Sequence, residues 1–176
     1  MTDNQQGSEQ TAAPSAGKLV PIGIILAVLG LLVSLYATNH HIEVKMTGSS
    51  DAACNINETF SCDDIAKSEY SELFGTPIAV FGAAYFLGLL LLLGVGQAKP
   101  EYRKDNMITY GVMVAIGVVV SLVFGSISMV SIGKMCVTCI AVYIVTFIQM
   151  GVVFAFKGEI EGPFSTKALS KRHFDG

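Results

Sequence analysis

The chain reads as an all-α integral membrane protein: a four-transmembrane-helix bundle with a long extracytoplasmic loop between helices 1 and 2. Hydrophobic residues make up 52% of its 176 residues and charged residues only 14%, where an ordinary soluble domain carries about 25% charged. Four apolar stretches approach the roughly 20 residues that a helix needs to cross a bilayer. The polar residues collect mainly between the first and second of these stretches and at the two ends. The formal net charge of −3 comes without a basic cluster large enough to follow a phosphate backbone, which excludes nucleic acid as a partner.

Residues 1–18 are small and polar, carry too few large apolar side chains to offset the entropy of ordering, and are expected to form a disordered tail. Leu19 to Thr38 (LVPIGIILAVLGLLVSLYAT) is uncharged and long enough to be the first span. A signal peptide would have a shorter apolar core ending at small residues, which this stretch lacks. Asn39 to Thr76 is the long polar loop, with seven acidic residues and Cys54 and Cys62. Within it, Ser61-Cys-Asp-Asp64 resembles a capping box, and Gly75 stands where a C-cap glycine would. That predicts a short helix with Cys62 in its first turn and a face of Ile65, Ala66, Leu73 and Phe74 laid on the membrane surface.

Thr76 and Pro77 are suited to the N-cap and first position of the second span, which runs to Gly96. The third span, Met107 to about Val130, places Gly117, Ser121 and Gly125 at intervals of four, a groove of small residues for a neighbouring helix. After Ser131 to Met135 the fourth span runs from Cys136 to Phe156. Residues 19–158 thus make up the membrane domain, and 159–176 a basic tail. Lys18, Lys99, Arg103, Lys104, Lys157, Lys167, Lys171 and Arg172 fall on one face of the membrane, against Lys45, Lys67 and Lys134 on the other. By the bias of basic residues toward the cytoplasm, both tails are expected to be cytoplasmic, and all four cysteines extracytoplasmic.

Cys136-Val-Thr-Cys139 puts two thiols on one helix face, at a separation that a disulfide can span. Cys136, at the start of a helix, and Cys62, in the first turn of another, occupy positions where unpaired N–H groups favour a thiolate. Lys134 adds a cation two residues ahead of Cys136. Two structural disulfides or a zinc site are the alternatives. Cys54-x₇-Cys62 is too wide for a typical zinc finger, and a bridge within one helix would lock nothing the helix does not already lock, so no metal is expected and redox chemistry is favoured. His40, His41 and Glu43 suggest a metal set on paper, but such residues at a helix end are more often solvated interfacial side chains.

These features together resemble the vitamin K epoxide reductase family. The resemblance is carried by Gly30-Leu-Leu-Val-Ser34-Leu-Tyr36-Ala, Cys54-x₇-Cys62, Ser68, Gly75-x-Pro77-x₄-Gly82, and Cys136-x-x-Cys139 with Tyr143, and covers about Leu19 to Phe156. It implies a quinone pocket at the non-cytoplasmic end of the bundle. Cys136 and Cys139 would be the active-site pair, with Cys139 the thiolate that contacts the quinone. Cys54 and Cys62 would be a shuttle pair. Ser68 would steady the loop or the reduced pair, and Tyr143 would hydrogen-bond a quinone oxygen. Phe81 and Tyr85, near the depth of the cysteine face, are further candidates for quinone contact. The asparagine that animal members place three residues before the Phe-Gly of the second helix is here Ile78, ahead of Phe81-Gly82, which argues against action on the epoxide.

The expected activity is that of a quinone-dependent thiol–disulfide oxidoreductase in a bacterial inner membrane. It would generate disulfides in a separate extracytoplasmic thioredoxin-fold partner and pass the electrons to ubiquinone or menaquinone. The alternatives are a quinone or vitamin K epoxide reductase, and a non-enzymatic four-helix scaffold with static disulfides.

Overall fold

The computed structural model describes residues 16–49, 55–56, 59–98 and 103–161. In chain order they form α1 (Ala16–Thr47), α2 (Cys62–Lys67), a 3₁₀ turn at Glu69–Ser71, β1 (Glu72–Leu73), β2 (Thr76–Pro77), α3 (Ile78–Ala98), α4 (Arg103–Ile127), a π-helical turn at Ser128–Ile132 and α5 (Val137–Glu161). Among the described residues four segments are long and apolar enough to cross a membrane: Leu19–Thr47, Ile78–Ala98, Asp105–Ile132 and Val137–Phe156. A helix suits that setting because it satisfies its backbone N–H and C=O groups within its own segment. The protein is an all-α membrane protein.

The spans form a ring in which α1 packs against α3 and α5, and α4 against the same two. Phe86, Leu89 and Leu93 of α3 are completely buried, with Ala27 of α1, Val114 and Tyr110 of α4, and Val152 and Phe156 of α5 around them. Large apolar side chains such as Leu32, Leu91, Val119 and Phe154 instead face outward. That is the pattern of helices solvated by lipid, which are apolar all round.

Small residues set the closest approaches. Gly30 of α1 takes the Phe86 ring directly on its backbone, and a Cβ there would overlap the ring. The small-residue groove on α4 is filled in the same way: the Tyr85 ring rests on Gly117, and the Tyr143 ring edge comes within 3.5 Å of where a Gly125 Cβ would stand.

The segment between the first two spans departs from expectation in three ways. First, α1 continues past Thr38 to Thr47, because nothing in NHHIEVKMT breaks a helix; it ends at Gly48, whose φ of +82° is the left-handed cap conformation. Second, α2 stops at Lys67 with Ser68 as C-cap. Phe74 and Gly75 both have positive φ and form the two-residue turn of a β1–β2 hairpin, with Glu72 opposite Pro77 and Leu73 opposite Thr76. Gly75 therefore closes a hairpin rather than a helix, Thr76 and Pro77 are strand residues, and the span begins at Ile78. Third, Ile65 and Ala66 pack inward while Leu73 and Phe74 stand exposed on the hairpin, so these four residues do not share one helix face.

Gly30→Val is expected to lower stability by about 1–3 kcal/mol, the usual cost of overpacking. The check is the unfolding midpoint in detergent, where combining it with Phe86→Ala should restore part of the loss.

Candidate functional site

Two loop segments running side by side bring the cysteines together. Phe60 and Met135 form a parallel bridge. The Met135 N–H donates to Thr59 O at 2.8 Å, and the Ser61 N–H donates to Met135 O at 3.2 Å. Both segments turn into helices directly after the bridge. Ser61 caps α2 as expected, its Oγ accepting from the Asp64 N–H at 3.2 Å, and Cys62 is the first helical residue; the returning half of the capping box does not form, because the Ser61 N–H goes to Met135 O and the Asp64 carboxylate faces Lys134. Cys136 stands at the N-cap of α5: its carbonyl accepts the Ile140 N–H at 3.0 Å, and its Sγ accepts the Cys139 N–H at 3.3 Å. The sulfur here makes the bond that an N-cap serine or aspartate makes with oxygen.

The outcome is a separation of 3.6 Å between Cys62 Sγ and Cys136 Sγ. Both residues are buried, and Ile65 and Val137 pack against them. Cys62 is disulfide-bonded, whereas Cys136 and Cys139 are free thiols. Exchange begins with a thiolate attacking a disulfide sulfur. The contact lies just outside the roughly 3–3.5 Å of a near-attack arrangement.

Cys136 precedes the span that begins at Val137. The Cys139 thiol, together with the Thr138 hydroxyl 2.9 Å from the Cys136 sulfur and the backbone N–H groups of the first turn, lowers its pKa to about 6 against the opposing effect of burial. Its thiolate therefore persists at neutral pH. Lys134 spends its charge elsewhere, 3.6 Å from Asp64 Oδ2, where it ties the approach to α5 to the first turn of α2.

A clamp on α1 holds α2 in place. His40 and His41 are each only 6% exposed, not solvated as their position suggested. The His40 Nε2 lies 3.1 Å from Asp63 Oδ1. The Asn55 amide donates to the same oxygen at 2.8 Å and accepts the Asp63 N–H at 3.2 Å. His41 and Lys45 reach Glu72 of the hairpin at 3.1 and 3.0 Å. Among the described residues no group of three or more His, Cys, Asp or Glu is placed to hold a metal ion.

Beside the thiols, between the π turn, α4 and α5, lies a cleft of about 280 Å³ lined by Cys136, Cys139, Tyr143, Ser121, Gly125 and Phe147 among others. Leu122, Met129 and Phe147 on its rim are about half exposed, so it opens toward lipid. Its size is near the lower bound of about 300 Å³ for small-molecule sites.

The structure thus gathers Cys62, Cys136, Cys139 and Tyr143 at one end of the bundle. Cys54 lies outside the described residues. Ser68 sits at the end of α2, its hydroxyl donating to Ile65 O at 2.7 Å and its carbonyl accepting from Ser71. Phe81 is 45% exposed on α3 and Tyr85 is packed on Gly117 of α4; neither lines the cleft. Sequence reasoning missed Asp63 and Asn55 as clamp residues and Ser121 as a cleft residue.

A membrane bundle that holds a free thiol pair against a disulfide sulfur, beside a cleft open to lipid, has the parts of a membrane thiol–disulfide oxidoreductase. The model of the vitamin K epoxide reductase family matches residues 21–154, and the chain belongs to that family. Its members are membrane oxidoreductases of thiols and quinones.

Alkylation of Cys136 in the Cys139→Ser background is expected to follow a thiolate titration, with reactivity lost as pH falls. Thr138→Val should move the midpoint upward by removing one hydrogen bond to the sulfur. A pH series with iodoacetamide and mass spectrometry reads both.

Proposed function

We propose that the chain is a thiol oxidase that makes disulfides in a separate extracytoplasmic thioredoxin-fold protein and passes the electrons to ubiquinone or menaquinone. The observation that most supports this reading is the 3.6 Å Cys62–Cys136 contact with Cys139 on the cleft. The proposed setting is a bacterial inner membrane with both termini cytoplasmic.

In this mechanism the partner's two thiols reduce the Cys54–Cys62 disulfide and leave as a disulfide. The Cys62 thiolate attacks Cys136 of the closed Cys136–Cys139 pair and expels Cys139 as a thiolate at the cleft. Cys54 then attacks Cys62, which closes Cys54–Cys62 and releases Cys136. The depressed pKa of Cys136 makes it a good leaving group in that step. The quinone supplies a two-electron acceptor. Closing the Cys136–Cys139 bond delivers two electrons, and with two protons the product is the quinol. Tyr143 would hydrogen-bond a ring oxygen, and Ser68 would keep the end of α2 fixed during exchange.

Two experiments test the reading. Cys54→Ala removes the resolving thiol, and Cys139→Ala removes the thiol that attacks from the other side, so each is expected to accumulate a Cys62–Cys136 link with quinone reduction at background. Peptide mapping without reductant should recover the link. A free Cys62 in both variants, with quinone turnover intact in Cys139→Ala, would leave static disulfides as the better description. For orientation, single cysteines placed at Lys18, Lys104 and Lys171 in a cysteine-free chain should resist an impermeant maleimide added from outside; labelling at Lys104 would reverse the topology.

A further inference from the structure

The interior of the bundle holds polar groups that the exchange reaction does not use. Gln149 of α5 is 0% exposed, and neither its Oε1 nor its Nε2 has a hydrogen-bond partner among the described residues. The same holds for the buried hydroxyls of Tyr110 and Tyr85 and for the Asn106 amide nitrogen. A polar group in an apolar interior costs about 1–3 kcal/mol when left unpaired. Four residues so placed are therefore groups waiting on water rather than packing residues. Polar side chains inside a membrane bundle commonly mark ion or proton routes.

Their order along the bundle gives them a direction. Asn106 and Tyr110 lie in the first turns of α4, at the end opposite the cysteines. The Tyr85 hydroxyl rests at Gly117. Gly111 meets Val153 and Gly125 meets Tyr143, so α5 runs antiparallel to α4 and Gln149 falls near the level of Gly117. Ser121, one turn further, lines the cleft. At about 1.5 Å per residue the steps from Asn106 to Tyr110, to Gly117 and to Ser121 are about 6, 10 and 6 Å. At about 2.8 Å per hydrogen bond, about one water in line spans each shorter step and about three the longer one.

We propose that Asn106, Tyr110, Gln149 and Tyr85 hold a file of waters that carries protons from the end of the bundle opposite the cysteines to the cleft. The inference rests on the quinone-reducing reading above. Each turnover releases two protons where the partner's thiols are oxidised and consumes two at the cleft when quinol forms. Drawing the second pair from the opposite side makes the reaction move two positive charges across the membrane while electrons and atoms still balance.

The test uses the full chain in vesicles with a pH dye trapped inside, a quinone, and a reduced thioredoxin-fold donor added outside. The donor cannot cross, so it drives only those molecules whose cysteines face outward. The expected result is a rise in internal pH, two protons lost from the lumen per quinone reduced. Gln149→Leu should slow quinone reduction at least about tenfold while its Cys62–Cys136 exchange, which needs no proton from this route, stays at the wild-type rate. A second readout needs no quinone: p-cyanophenylalanine replacing Tyr110 should give the infrared nitrile band of a hydrated group. Quinone reduction with no change in internal pH, the two protons released by the donor's thiols then balancing the two taken up by the quinol on the outer side, or a nitrile band of a dry apolar site, overturns the inference and leaves the oxidase reading standing. Absence of quinone reduction in the wild type overturns that reading and this one with it.

Discussion

Everything at the reactive end of the molecule depends on two backbone hydrogen bonds, Met135 N–H to Thr59 O and Ser61 N–H to Met135 O. They join segments that are far apart in the chain and place the next residues, Cys62 and Cys136, at the starts of two helices with their sulfurs in contact. Each such bond contributes only about 0.5–1.5 kcal/mol net. A link of that strength positions a sulfur without immobilising it.

The remaining restraint comes from α1. Its last two turns rise beyond the other spans and carry His40 and His41 into contact with Asp63 and Glu72, so the loop is pinned at α2 and at the hairpin. Burying these side chains is tolerable because each is paired; removing one partner leaves the other polar and dry, which costs more than the pair contributes. The Asn55 amide closes the arrangement by holding Asp63 from both its side chain and its backbone.

The four spans were legible in the sequence because uncharged runs of membrane length have few other readings, and the Ser61 capping box correctly placed Cys62 at a helix start. Ends were less legible. The apolar stripe of α1, read at steps of three and four from Val20 through Ala27, Ser34, His41 and Val44, continues past Thr38. It is hidden because histidine and serine replace aliphatic side chains on the buried face. Gly75 misled because a left-handed glycine serves a helix end and a hairpin turn equally well, and only pairing across the turn distinguishes them. The Cys62–Cys136 contact itself had no local signature, since it arises from a bridge between residues 75 positions apart.

The π-helical turn at Ser128–Ile132 accommodates one more residue per turn than an α-helix does. Gly133, at φ +67°, then reverses the chain, and the Ser128 hydroxyl reaches Lys134 O at 2.6 Å to close the corner. Excising one residue would let the turn relax to α-helix and swing the segment after it by roughly 100° about the axis, carrying Met135 out of register with Phe60. The connection therefore acts as a spacer whose length is counted, and at Val130 and Ser131 its composition is free: both are exposed and contribute little but their places in the count.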